Sequence, residues 1–274
     1  MIFSITSERE TLVVWAAASM VRHGGGRNGG IQKSMTSLDG RPLSAGDSGY
    51  QRIRSDIIFG VLTPSGRLRL DAMKEDYGVS ISTLREILNR LASEGFVVAE
   101  GQRGFEVAPV SIQNLRELAE LRILLEHHAM AESFRTGDME WEGRVVSAHH
   151  KLAATERSIL SEGDDPELRK RYDGEFHQAL ISSCGSRELM HTHSIVFDKY
   201  FRYALRYRGV ETVKQHKTLL DCALKRDINK ARVVLTEHIN GCVAYALSSW
   251  KEEAHDSSHS NPQDARSSGP IEHR

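Results

Sequence analysis

Cysteine is scarce in this chain. Three occur in 274 residues, Cys184, Cys222 and Cys242. They are widely spaced, odd in number and without a CxxC partner. That pattern argues against a disulfide framework and reads as reduced thiols in a cytoplasmic protein. Long hydrophobic runs are missing too. The longest, "TLVVWAAASMV" at residues 11–21, is too short to span a bilayer, so no membrane partner is expected. As a signal peptide it follows "ERE", where a positive segment belongs, and secretion is not expected. Charge of one sign is also missing. Lys and Arg total 36 against 37 Asp and Glu, a net charge of −1. The whole molecule is therefore no electrostatic magnet for nucleic acid, although a local surface still can be.

What is present describes a soluble globular protein: 39% apolar and 27% charged residues, enough chain for one large domain or two modest ones. The ends differ from the middle. Residues 1–45 carry "RHGGGRNGG" and "SAGDSG" and are expected to be a flexible extension, with Met35 a second candidate start. Residues 252–274 have almost no apolar side chains and are expected to be a disordered tail.

Two differently built regions lie between them, and the expected fold class is mainly α. Residues 50–109 read as three short helices and a β-hairpin. "YQRIRSDIIFGVL" places Ile53, Ile57, Ile58 and Val61 at helical spacing. "RLDAMKEDYG" is a second helix stopped by Gly78. "SISTLREILNRLASEG" is a third, with Leu84, Ile87, Leu88 and Leu91 on one face and Gly95 as its stop. "FVVAEGQRGFEVAPV" then reads as strand, turn, strand. Residues 111–250 read as helices throughout, opened by Ser111, Asp138, Asp165–Pro166, Ser186, Glu211 and, after the cap Asp227, Ile228. The helix from Ser186 is expected to end at Gly209, and the last one at Trp250. Short connections make an antiparallel all-helical bundle.

Three helices and a hairpin make a winged helix-turn-helix, a reader of double-stranded DNA. Gly78 makes the turn, Val79 plugs the core and Ser80 caps the third helix. The first turn of that helix offers Ser80, Ser82, Thr83 and Arg85, groups suited to phosphates and base edges. The wing tip offers Gln102, Arg103 and Gly104, and Arg90, further along the third helix, is another candidate for contact with DNA. Composition gives no help here: residues 50–109 hold eight Lys/Arg and eight Asp/Glu, so a basic face must arise by segregation on the folded surface.

In the bundle, "YDGEFHQAL" places Asp173 and His177 one turn apart at the border of an apolar stripe. On this helix alone the pair reads as a structural hydrogen bond. His216 and His238 alter that reading. The first lies 10 residues before Arg226 and the second 11 after Asp227, in a helical hairpin that turns there. Both therefore sit at one height, about 15 Å from the turn, and Asp173 and His177 can form the opposite wall. One carboxylate and three imidazoles suit a divalent ion such as zinc, nickel, manganese or iron. The adjacent pairs His127–His128 and His149–His150 point apart on their helices and are dispensable to it.

The N-terminal stretch "PSGRL…MKEDYGVSISTLREILNRLASEGFV…QRGFEVAPV" resembles the winged-helix domain of the GntR family of bacterial transcription regulators. Pro64, Leu68, Gly78, Val79, Ser80, Arg85, Glu86, Leu88, Arg90, Leu91, Arg103, Gly104 and Val107 fit that family's pattern. Ile81 and Thr83 depart from it, where the family commonly has Arg and Pro, so the operator is expected to differ from the common family site. The bundle, with Asp173, His177, "QHKTLLDCALKRD", "EHI" and "RILLE", resembles the FCD ligand-sensing domain of the FadR subfamily. The resemblance implies a homodimer that binds operator DNA, acts as a repressor, and responds to a small organic acid bound at the metal. "ISSCGSRELM" and "VFDKYFRYALRYR" resemble members responding to dicarboxylates. A guanidinium is expected to grip the far end of the acid, with Arg122 first and Arg202 second. Either can instead pair with a bundle Glu.

Two other functions use the same residues. A metal-dependent enzyme would use the Asp/His set with an open position, but no general base is placed beside it and the winged helix has no part in it. An architectural DNA binder with an inert bundle would leave the four aligned ligands unexplained.

Overall fold

The computed structural model describes residues 44–162, 165–204 and 210–259. The expected N-terminal extension, the Gly209 helix end and the chain after His259 lie outside these residues.

The N-terminal domain runs α1 (Ala45–Ile58), β1 (Arg67–Leu68), α2 (Leu70–Tyr77), α3 (Ile81–Ser93), β2 (Val97–Ala99) and β3 (Phe105–Val107). Helix α1 begins five residues earlier than expected because Ser44 caps it, its Oγ accepting from the Asp47 N–H at 3.0 Å. Val61 does not share the α1 stripe. The helix stops at Ile58, Gly60 takes φ +77°, and Val61 swings out to 70% exposure. Ile53, Ile57 and Ile58 do face inward, against Leu84, Ile87, Leu88 and Leu91 of α3. Gly78 closes α2 at φ +66°, a left-handed conformation that glycine adopts without cost.

The hairpin is the wing expected. A third strand, β1, was not expected. It adds antiparallel to β3 on the edge away from β2, with Leu68 opposite Phe105. Two residues are too few to show alternation in a sequence. Its position is set by the turn before it, where Ser65 N donates to the Val107 carbonyl and Val107 N to the Gly66 carbonyl.

The helical domain runs α4 (Ile112–Thr136), α5 (Met139–Glu162), α6 (Pro166–Ile181), α7 (Arg187–Ala204), α8 (Val210–Lys225) and α9 (Ile228–His259). The caps are those read from sequence: Ser111, Asp138, Asp165, Ser186 and Asp227 each accept a backbone N–H from the first turn of their helix. Helix α9 passes the expected end at Trp250 and continues to His259. Helix α4 packs on α7 and α9, α5 on α6 and α8, and α8 on α9. Helices α4, α6, α8 and α9 thereby enclose one interior. Among the described residues no helix is long and apolar enough to cross a membrane.

Candidate metal centre and DNA-reading helix

Helix α3 presents its first turn outward. Ser80, Ser82 and Arg85 are exposed and Thr83 is half-buried. The three hydroxyls form a small web, Ser80 Oγ lying 2.8 Å from Ser82 Oγ and 2.9 Å from Thr83 Oγ1. Ser80 also caps the helix, accepting from Thr83 N at 3.1 Å. The Arg85 guanidinium stands on the same open face. Arg90 is differently placed. Its guanidinium lies 3.7 Å over the Tyr50 ring and its Nε is 3.5 Å from Glu94, so it is tied to its own domain. At the wing tip Arg103 is exposed, and its carbonyl accepts from Arg67 Nη2 at 2.9 Å. Gly104 takes φ +97°. The Gln102 side chain lies outside the described residues.

The four predicted ligands converge. One donor atom from each of Asp173, His177, His216 and His238 lies within 4.8 Å of the others. The register of α6 puts Asp173 and His177 on one face, and the α8–α9 hairpin brings His216 and His238 to equal height. Ring centroids of His216 and His238 are 4.7 Å apart, and those of His177 and His238 are 5.3 Å apart. Asp173 Oδ1 is 3.2 Å from His216 Nε2 and 4.0 Å from His177 Nε2. All three imidazoles are buried.

Each ring is held from behind by its other nitrogen. His177 Nδ1 donates to Glu126 Oε2 at 2.8 Å, His216 Nδ1 to Glu156 Oε1 at 2.7 Å, and His238 Nδ1 reaches Gln215 Oε1 at 3.3 Å. Donating from Nδ1 leaves the Nε2 lone pair facing inward. The Nε2 atoms of His177 and His216 are buried without a hydrogen bond of good geometry. Buried polar atoms are seldom left so, and a cation at the centre would supply what they lack. A carboxylate behind a ligating imidazole is the usual support of a metal site. Two of the three rings have one. The residues present therefore fit a divalent ion with nitrogen and oxygen ligands.

The electrostatics agree. Burial works against the Asp173 carboxylate, yet His216, His177 and Arg122 hold its pKa well below the ordinary range. Burial likewise opposes a charged His216, but Asp173 and Glu156 outweigh it and raise its pKa to about 9. His238 has no such carboxylate behind it. Burial and the positive neighbours His216, His177 and Arg122 push its pKa well down. The arrangement thus favours a proton on His216 between two carboxylates, and a dication bound there would take the place of that proton on Nε2.

The two candidate arginines part company. Arg122 is fully buried at the cluster, stacked 4.6 Å from the Phe197 ring and 4.9 Å from Tyr200. Its Nε donates to Glu126 Oε1 at 2.6 Å, the pairing with a bundle Glu noted above, while its Nη2 is buried without a partner. Arg202 points away from the cluster and donates to the Ala108 carbonyl at 2.9 Å, joining α7 to the segment after the wing.

Sequence reasoning met Glu126 only as the end of the "RILLE" match and as a candidate partner of Arg122, and gave no role to Glu156, Gln215 or His193. His193 Nε2 donates to the same Glu126 Oε1 at 3.0 Å. Glu126 had a signal: it stands one turn after Arg122 in an otherwise apolar run, where a lone carboxylate needs a partner. Glu156, on an ordinary polar stretch of α5, had none.

Residues 47–107 match the model described as bacterial regulatory proteins, gntR family, and residues 117–241 match the FCD domain. The HTH-type transcriptional regulator BphR of Paraburkholderia xenovorans is 36% identical over 71% of this chain and 82% of its own length. The HTH-type transcriptional repressor GlaR of Escherichia coli is 30% identical over 75% of this chain and 93% of its own. The E. coli McbR/YncC structure superposes with a TM-score of 0.63 at 19% identity, over 76% of this chain and 99% of that one, and shares the fold. These matches lie with transcriptional regulators and not with metal-dependent enzymes. The winged helix, the helical domain behind it and the relatives that span both together place the chain in the gntR family of DNA-binding bacterial transcriptional regulators, with an FCD domain as its second half.

Proposed function

We propose that this regulator is a cytoplasmic, homodimeric repressor whose helical domain senses a small organic acid, a dicarboxylate or hydroxy acid, through a bound divalent metal. The single observation that carries this reading is the geometry behind the imidazoles. Glu126, Glu156 and Gln215 occupy the three Nδ1 atoms, and the Nε2 atoms of His177 and His216, 4.0 Å and 3.2 Å from Asp173 Oδ1, are buried without a hydrogen bond. A divalent ion bound by Asp173, His177, His216 and His238 would offer its remaining positions to a carboxylate and a hydroxyl oxygen. The chain's own contribution to the acid is the free Nη2 of Arg122, held in place by the Glu126 pair and by Phe197 and Tyr200. Arg202 supports acid binding less well, because it is occupied at Ala108.

For DNA, Ser80, Ser82, Thr83 and Arg85 would enter the major groove and Arg103 and Gly104, with Gln102, would follow the backbone from the wing. Arg90 would act mainly by holding α3 to Tyr50 and Glu94. The repressor sign is supported by the relative named a transcriptional repressor. The dimer is expected because helix-turn-helix regulators meet paired half-sites.

Elemental analysis of purified protein tests the metal. About one divalent ion per chain is expected in the wild type, and none in the variant carrying both His216→Ala and His238→Ala. Wild-type metal content in that variant would refute the ligand assignment.

A further inference from the structure

Helix α7 has two working faces, and the proposed function uses neither fully. One stripe looks at the cluster. His193 donates to Glu126, the Phe197 ring packs 5.7 Å from the His177 ring and beneath Arg122, and Tyr200 lies under the same guanidinium. The Tyr200 hydroxyl also donates to the carbonyl of Ile239, the neighbour of His238, at 2.9 Å. These residues stand at spacings of four and three along α7, so they form one face.

The adjacent stripe holds the DNA-binding domain. Asp198 accepts from Arg54 of α1 and from Lys170 of α6, the latter at 2.7 Å. One turn on, Arg202 donates to the Ala108 carbonyl. Tyr203 accepts from Ser111 N at 3.3 Å and donates to Asn114 at 2.8 Å. Lys199 lies so close beneath Gly95 that a Cβ there would be 2.8 Å from its Nζ. Arg54 does not stop at Asp198. Its Nε donates to Glu94 Oε2 at 3.2 Å, and Glu94 ends α3 and is also bound by Tyr50 and approached by Arg90. One guanidinium therefore joins α7 to the far end of the DNA-reading helix. Arg54 and Asp198 are both largely buried, their side chains 16% and 10% exposed, so water screens the pair little.

We propose that α7 is the relay between the two domains and that Arg54–Asp198 is its latch, engaged in this structure. The relay rests on the metal-and-acid reading of the cluster. A ligand that draws His177 and Arg122 toward itself alters the seat of His193, Phe197 and Tyr200. An α-helix is stiff along its length, so a shift of that face moves Asp198 and Arg202 with it. The latch then resets how Glu94, and with it α3, is held against the bundle. Both sites bias one physical element, which is what coupling between them requires.

The test uses full-length protein, zinc as the metal, and citrate, malate and succinate as the acids. The duplex is one recovered from a random pool by selection on the metal-free wild type. Zinc content and operator affinity are measured for the wild type, Asp198→Asn and Arg54→Gln. In the wild type, zinc with at least one acid is expected to change operator affinity by about five-fold or more. In both variants zinc content should stay at the wild-type level while the change falls below about two-fold. Circular dichroism and zinc content establish that each variant is folded, and the two break the same bond from opposite sides, so either alone suffices. A wild-type response kept in a folded variant overturns the latch. Zinc-loaded wild type whose operator affinity no acid alters overturns the relay while leaving the metal site standing. Wild type that holds no zinc or other divalent ion overturns the metal reading itself, and the relay falls with it.

Discussion

Each imidazole of the cluster has two nitrogens with separate duties, and the residues behind the rings decide which duty each performs. Glu156 fixes His216 by one oxygen, 2.7 Å from Nδ1, while its other oxygen is buried and unbonded. Glu156→Gln keeps the shape and removes the charge. Metal affinity is expected to fall by about 10–100-fold, the usual cost of losing such a support. Competition against a chromophoric chelator measures it, and an unchanged affinity would show that His216 is positioned by packing alone. At the other end of the molecule Arg85 is exposed on the open face of α3, beside Ser82. Arg85→Ala should weaken operator binding by about 1–3 kcal/mol if it reads a base, or lower the salt slope by about one if it meets a phosphate. Metal content should not change. Titrations across a salt series that superimpose on the wild type would show that Arg85 faces away from the duplex. The convergence of Asp173, His177, His216 and His238 was legible in the sequence because helical periodicity and a hairpin's symmetry are both countable. Glu156 and Gln215 were not, since the partner of a ring nitrogen depends on how two helices are rotated against each other, and no spacing within one helix records that.

Elements were read best where a local signal fixes their ends. Ser111, Asp165 and Asp227 cap the helices they were expected to cap, because a side-chain oxygen and the first-turn N–H groups lie within three residues of each other. Strand β1 escaped for the opposite reason: its two residues gain their partners only from β3, almost forty positions later. The stop of α1 escaped too. Val61 continues the apolar spacing in the sequence, but Gly60 at φ +77° turns the chain first. Gly78 gives the element scale its prediction. It ends α2 at φ +66° with open space where a Cβ would stand, so Gly78→Ala carries a backbone cost and no clash. About 1–2 kcal/mol of stability should be lost from the DNA-binding domain, the cost of a left-handed conformation for a residue with a Cβ. Denaturant unfolding followed by a probe in that domain measures it. A variant as stable as the wild type would mean that the turn relaxes out of the left-handed region, and the angle between α2 and α3 should then change operator affinity instead.

At the scale of the whole molecule, the Asp/His cluster and helix α3 sit in different domains of one chain, and any coupling between them is a free energy. If the acid binds through the metal and Arg122, then Arg122→Ala should lose acid binding while keeping metal and operator affinity, because Arg122 touches neither the duplex-facing surface nor the proposed ligand atoms directly. Its neighbour Glu126 complicates the variant: without the guanidinium, a buried carboxylate keeps only His177 and His193 as partners. Arg122→Lys retains a cation there and separates lost charge from lost shape. For the wild type the linkage is reciprocal. Whatever factor the acid applies to operator affinity, roughly 5–150-fold for a coupling of about 1–3 kcal/mol, the operator must apply to acid affinity. Isothermal titration of acid into the metal-loaded protein, with and without saturating operator at one fixed salt concentration, measures the factor directly. Two titrations with the same acid affinity, binding being evident in both, would mean that the helical domain does not control DNA binding, even with the metal and DNA sites both intact.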